Sequence, residues 1–144
     1  MARVNTYLNF QGSTEEAFDF YASLFSPAHQ LEFQRFGDMD EQPGMPPLSD
    51  EDKRKVLHVE LPILTGHVIM GTDMLESMDQ KVRVGNNTTI SLELDSRQEA
   101  TDLYDQLAAG GSEGSGMMDM PWGAYWGCCL DRFDIRWMIT HTEQ

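Results

Sequence analysis

Basic residues are scarce in this chain. Ten Lys and Arg stand against 24 Asp and Glu over 144 residues, a formal net charge of −14. Proteins bind phosphate backbones by neutralising them with cations, so this deficit argues against nucleic acid as a partner. It disfavours anionic membrane surfaces for the same reason, and like-charge repulsion favours solubility. Cysteine is nearly absent, with only the adjacent pair Cys128 and Cys129. Neighbouring strand residues point to opposite faces, so the pair implies neither a disulfide nor a shared metal site. No apolar run approaches the ~20 residues that span a bilayer. The opening MARVNTYLNF lacks the charged segment, apolar run and cleavage site of a secretory leader. A soluble, cytoplasmic protein with no membrane partner is expected. Gly-rich phosphate loops, a Ser nucleophile elbow and Cys-x-x-Cys motifs are also missing, and no cofactor is implied.

What is present is a repeat. Ser13–Leu24 reads STEEAFDFYASL and Ser96–Leu107 reads SRQEATDLYDQL, sharing S-x-x-E-A-x-D-x-Y-x-x-L. Ser followed three residues later by Glu (Ser13/Glu16, Ser96/Glu99) is the capping box of a helix start. Ala17, Phe20, Tyr21 and Leu24 recur at helical spacing, as do Ala100, Leu103, Tyr104 and Leu107, which gives each helix one apolar face. A short alternating strand precedes each helix, around Tyr7–Phe10 and Ile90–Leu94. The length fits one domain, and the repeat predicts duplication within it. Module one covers about 1–73, a junction loop about 74–87, and module two about 88–144.

Read in order, strand 4–10 leads to helix 13–25, which Ser26-Pro27 ends. A second strand is expected over 30–36, then an acidic Pro/Gly loop over 37–53 with one helical turn after Ser49. That loop reads as a solvated excursion or as a lid over a binding site. Strands follow at 56–61 and, after Gly66, at 67–72. In the second half helix 97–109 ends at Gly110-Gly111, residues 112–120 hold a poor edge strand, and strands 124–130 and 135–140 flank Asp131–Asp134. The order is β-α-β-β-β, twice, an α+β fold.

Two βαβββ modules that end in a strand–turn–strand resemble the vicinal oxygen chelate superfamily of glyoxalase I, extradiol dioxygenases and bleomycin-resistance proteins. YLNFQGSTEEAFDFY, VLHVELPI with VIMGTD, GNNTTISLELDS and WGAYWGCCLDRFDIRWMI are similar, in that order, to segments of its PhnB-like branch. One departure is Asp134, where the family's turn usually carries Gly; Asp tolerates the left-handed region better than most residues. The resemblance implies eight strands forming a partly open curved sheet around a central cavity, and a homodimer.

The resemblance also implies where a divalent metal would sit. The family's ligand positions fall near Asn5, Met70, Thr89 and Met138, where no imidazole or carboxylate stands. Thioethers suit Cu(I), and neutral amide or hydroxyl oxygens bind hard and borderline ions weakly. No inherited metal site is expected. Proteins of this branch sometimes carry a DNA-binding methyltransferase label, but nothing here resembles a Gly-rich methyl-donor site, and the charge opposes DNA.

Alternation predicts the faces. Leu8 and Phe10, Leu57, Val59 and Leu61, and Ile90, Leu92 and Leu94 are expected beneath the helices, with Trp126 and Trp137 in the core. The cavity face then receives Tyr7, Asn9, His58, Glu60, Val68, Met70, Ser91, Glu93, Tyr125, Cys129, Arg136 and Met138. Trp122 and Tyr125, after the Met117, Met118 and Met120 cluster, are candidates for an apolar cavity mouth. The expected ligand-binding set is Tyr7, Asn9, His58, Glu60, Met70, Ser91, Glu93, Trp122, Tyr125, Arg136 and Met138. The leading function is binding of a small, partly apolar molecule in the cavity between modules, without metal. The alternative is a lyase, isomerase or dioxygenase using His58 and Glu60 as catalytic base and acid or as ligands of a relocated metal, with His67 nearby. A hydrogen-bonded His–Glu pair lining a polar cavity is the plainer reading of those two residues. A third reading is a scaffold whose cavity its own side chains fill.

Overall fold

The computed structural model describes residues 1–143. They divide into two units, Met1–Val82 and Arg83–Gln144, each built on one four-stranded mixed sheet. Among the described residues the eight strands thus form two four-stranded sheets with helices, the two-module α+β fold.

In the first unit the elements run β1 (Thr6–Phe10), α1 (Thr14–Phe25), β2 (Gln34–Arg35), α2 (Asp50–Arg54), β3 (Val56–Ile63) and β4 (His67–Asp73). The sheet order is β1-β4-β3-β2. β1 lies parallel to β4 and the other pairs are antiparallel. Alternation places Leu8, Phe10, Val59, Leu61, Ile63 and Ile69 on the α1 side, where all are buried. Against them α1 turns Ala17, Phe18, Tyr21 and Ala22. Gly71 permits that approach, since a Cβ there would meet the Phe18 ring and Thr14. Leu57, expected in the same row, is only half-buried, and Val56 is buried instead.

Strand β2 is a correction. Of the expected 30–36, only Gln34–Arg35 pairs, because the register against β3 shifts there and Phe36–Asp38 winds into a 3-10 turn. The acidic loop does carry its single helical turn, α2, whose Asp52 N–H is capped by Ser49 Oγ at 3.1 Å. Asp52 is itself buried. It accepts from Ser77 Oγ at 2.6 Å and Lys55 Nζ at 3.0 Å, which hold its carboxyl below the usual carboxylate range.

The helix starts also depart from symmetry. Ser96 behaves as expected, its Oγ accepting from Glu99 N–H at 3.1 Å. Ser13 makes no side-chain cap bond. Buried Asp73, at the end of β4, takes that role across the sheet. Its Oδ1 accepts from Gly12 N–H (3.0 Å), Thr14 N–H (3.1 Å) and Thr14 Oγ1 (2.6 Å), and its Oδ2 from Val56 N–H (2.9 Å). One carboxylate therefore satisfies the entry to α1 and the start of β3, and an anion at a helix N-terminus is further favoured by the helix dipole.

In the second unit, β5 (Ile90–Glu93), α3 (Arg97–Ala108), β6 (Met118–Asp119), β7 (Ala124–Leu130) and β8 (Arg136–Thr142) follow, in sheet order β5-β8-β7-β6. Gly110 takes the left-handed conformation after α3 (φ 77°), and Arg132 donates twice to Ala109 O. Ala100, Leu103, Tyr104 and Leu107 of α3 bury against the sheet, as do Leu92, Trp137 and Ile139 from the other side. The β7–β8 turn keeps its Asp134 with φ 67°. Buried Asp131 organises that turn, accepting from Phe133 N–H and Ile135 N–H through Oδ1 and from Trp137 Nε1–H (2.8 Å) through Oδ2.

Candidate functional site

The first unit gathers its predicted residues on one face. Tyr7 pairs with Met70 across β1 and β4, and Met70 with Glu60 across β4 and β3, so all three point away from α1. Asn9 and His58 share that face by alternation. Tyr7, the second residue of the outer strand β1, is 52% exposed. Its ring lies 6.3 Å from that of His58. His58 Nε2 and Glu60 Oε1 are 3.0 Å apart and partly open to solvent. A neutral His58 that donates from Nε2 keeps its Nδ1 lone pair free, which is the form a general base needs. His67 stands apart from the pair, on the α1 side at the start of β4, bonded to Thr6 Oγ1 at 2.8 Å.

The second unit corrects the expected faces. Ser91 pairs with Met138, and Met138 with Cys128; Leu130 pairs with Arg136 and Trp126 with Thr140. The face turned away from α3 therefore carries Ser91, Arg136 and Met138 as expected, but with Cys128 and half-buried Trp126. Tyr125 and Cys129 lie on the other side, beneath α3. Tyr125 OH is 2.8 Å from Thr101 Oγ1, and the Arg97 guanidinium stacks 3.9 Å above its ring. The cause is the connection. Five residues, Asp131–Ile135, separate paired Leu130 and Arg136, and an odd number keeps the even-numbered residues of both strands on one face. Trp126 is thus not core, and Tyr125 does not share a face with Met138. Trp122 is 72% exposed beyond β6.

Burial pushes the Cys129 thiol up to about 11, so it stays protonated at neutral pH and is a poor nucleophile. Cys128 is half-exposed. A disulfide-exchange reagent is expected to modify one thiol per native chain, at Cys128, and two after denaturation; two fast thiols in the native state would contradict the burial of Cys129.

Glu93 and Ser91 are exposed on β5. Glu93 also borders a pocket of about 620 Å³ with Leu94, Asp95, His141, Thr142 and Glu143. That pocket is acidic, and His141 Nδ1 donates to Leu94 O at 2.8 Å. It contains none of the other predicted ligand residues.

The donor set does not fit a divalent metal at the positions the fold family uses. Met70 and Met138 offer thioethers; Asn5 is half-buried ahead of β1, and Thr89 is exposed ahead of β5. Among the described residues no group of three or more His, Cys, Asp or Glu is placed to hold an ion. Dialysis against a chelator is expected to leave the melting temperature unchanged, because no metal-binding energy is linked to folding; a drop of several degrees, reversed by one transition metal per chain, would contradict this.

Among the described residues no helix is long and apolar enough to cross a membrane. No curated protein matches the chain. Solved structures do. Protein PA1353 from Pseudomonas aeruginosa is 28% identical with a TM-score of 0.79, covering 100% of both chains. A PhnB protein from Bacillus cereus is 20% identical with a TM-score of 0.70, covering 98% of this chain and 100% of that one. A glyoxylase/bleomycin resistance protein/dioxygenase domain from Frankia sp. EAN1pec is 11% identical with a TM-score of 0.62, over 99% of each. The last two likenesses concern the fold alone. The family model described as 3-demethylubiquinone-9 3-methyltransferase matches residues 2–140. The chain belongs to that family, the PhnB-like branch of the glyoxalase, bleomycin-resistance and dioxygenase superfamily.

Proposed function

We propose that the chain is a binding protein for a small, partly apolar molecule, held without a metal on the sheet faces turned away from α1 and α3. The observation that carries this reading is the chemistry of those faces. An exposed Tyr7 and a half-buried Met70 stand among Asn9, His58 and Glu60 in one unit, and Met138 stands among Ser91, Cys128, Trp126 and Arg136 in the other. Flexible thioethers and aromatics supply adaptable apolar area, and a few polar groups orient what they hold. Where relatives of this fold place metal ligands, each unit carries a methionine, an apolar and deformable side chain. The proposal includes a homodimer in the cytoplasm, since two-fold pairs are the commonest assembly.

A thermal-shift screen of aromatic and cationic compounds tests the reading, followed by Tyr7→Ala and Met138→Glu. Both variants are expected to keep the unliganded melting temperature within a few degrees and to reduce the ligand-induced shift by half or more. Unchanged shifts in both would overturn the assignment of these faces.

A second reading rests on one specific contact, the 3.0 Å His58–Glu60 pair beside Tyr7. There Glu60 orients His58 as a general base for a lyase- or isomerase-type proton transfer. His58→Ala separates the two readings. It abolishes a ligand-dependent reaction in the second and merely weakens binding in the first.

A further inference from the structure

We propose that Arg136 is an anion-recognising residue for an organic carboxylate with an apolar body, and that Glu113 is a built-in carboxylate that occupies Arg136 until such a ligand displaces it. The proposal rests on the binding reading above and names the ligand class for the second unit.

The guanidinium presents Nε–H and Nη2–H along one edge, the fork that takes a carboxylate in two parallel hydrogen bonds. In this chain the fork is half used. Nη2 donates to Glu113 Oε2 at 3.0 Å, while Nε is buried and has no partner among the described residues. The Arg136 side chain is only 17% exposed, so bulk water does little for that donor. Native proteins rarely leave a buried polar group unpaired, and the exceptions call for an explanation. A carboxylate lying square on the fork satisfies both donors; Glu113 satisfies one.

Glu113 is built to let go. Its side chain is 57% exposed, and ion pairs of that kind contribute little. Its φ of 53° puts a non-glycine residue in the left-handed region, a conformation that carries strain. It also sits among Gly110, Gly111, Gly114 and Gly116, where the backbone turns readily. Beyond Arg136 on the same face stand Met138, Cys128 and Trp126, which suit an aromatic or aliphatic body. The −14 charge of the chain slows an anion's approach. Salt screens that field beyond about 8 Å at physiological ionic strength, and the short-range fork decides the bound state.

The test titrates the Arg136 Nε–H resonance of the full chain with 2-naphthoate, with neutral 2-naphthamide, and with acetate, in wild type, Glu113→Gln and Arg136→Met. Expected results are a naphthoate-dependent shift of Nε–H and naphthoate affinity above that of the amide. Glu113→Gln should tighten naphthoate by roughly two- to five-fold as the competing carboxylate is removed. Arg136→Met should erase the preference for the acid. Equal binding of acid and amide, with Nε–H unmoved and both variants silent, overturns the carboxylate assignment and leaves apolar binding standing. Acetate moving Nε–H while neither naphthyl compound binds keeps the anion site and overturns the apolar reading. No response to any of the three compounds overturns both.

Discussion

Asp73→Ala is expected to lose about 3 kcal/mol or more of folding stability, with an unchanged denaturant slope in a urea titration followed by circular dichroism. The wild-type carboxylate accepts from three backbone N–H groups and one hydroxyl; Asp73 is 3% exposed and Thr14 0%, and only the Gly12 end of the set reaches the surface. Alanine removes every acceptor at once and strands the amides of Gly12, Thr14 and Val56. Leaving a buried donor unmade costs about 1–3 kcal/mol, and some of that returns if water enters. Asp73→Asn should lose less, but not nothing, because both carboxylate oxygens act as acceptors and the amide puts a donor where one of them was. A loss below about 1 kcal/mol in the alanine variant would mean that the α1 entry is held by something else. The effect reaches the candidate site through geometry. Asp73 ties the end of β4, which carries Met70, to the start of β3, which carries His58 and Glu60.

Trp137→Ala is expected to cost about 4 kcal/mol, the range for removing a large aromatic from a core. Trp137 is fully buried, and its indole N–H donates to buried Asp131 at 2.8 Å. Trp137→Phe should cost less, since it keeps most of the ring volume and removes mainly the hydrogen bond to Asp131. Trp137 lies between Arg136 and Met138 on β8, and its burial against α3 points those two to the opposite face. Comparable stability of the alanine variant and wild type would contradict the packing that sets this register.

Much of the fold was legible because it was written in local signals. The repeated S-x-x-E-A-x-D-x-Y-x-x-L gave both helices, and period-two alternation gave β3, β4, β5 and β8. The shortfalls have physical causes. Helix α1 carries the same Ser-x-x-Glu signature as α3, yet its cap comes from Asp73, 60 residues on from Ser13; a long-range acceptor leaves no trace in a local motif. A strand is expected over 30–36, but only Gln34–Arg35 finds a partner in β3, since register is decided by the pairing strand. The faces of β7 were inverted because alternation fixes which residues travel together and not which side they take. The signal that could have placed Trp126 with Met138 is the turn. Asp131 accepts the amides of Phe133 and Ile135, which makes a five-residue connection and puts Leu130 opposite Arg136. On β1, β3 and β4 no such ambiguity arose, and Tyr7, His58, Glu60 and Met70 share the face their alternation gave them.

Binding of a small, partly apolar molecule on these faces is visible in methionine methyl NMR. The chain has ten methionines, two of which, Met70 and Met138, mark the proposed faces. An aromatic compound found by thermal shift should move the methyl signal of one or both in a saturable titration. Exposed Met1 and Met45 should stay where they are. Saturable binding that leaves Met70 and Met138 unmoved would mean that the ligand sits elsewhere than on these faces.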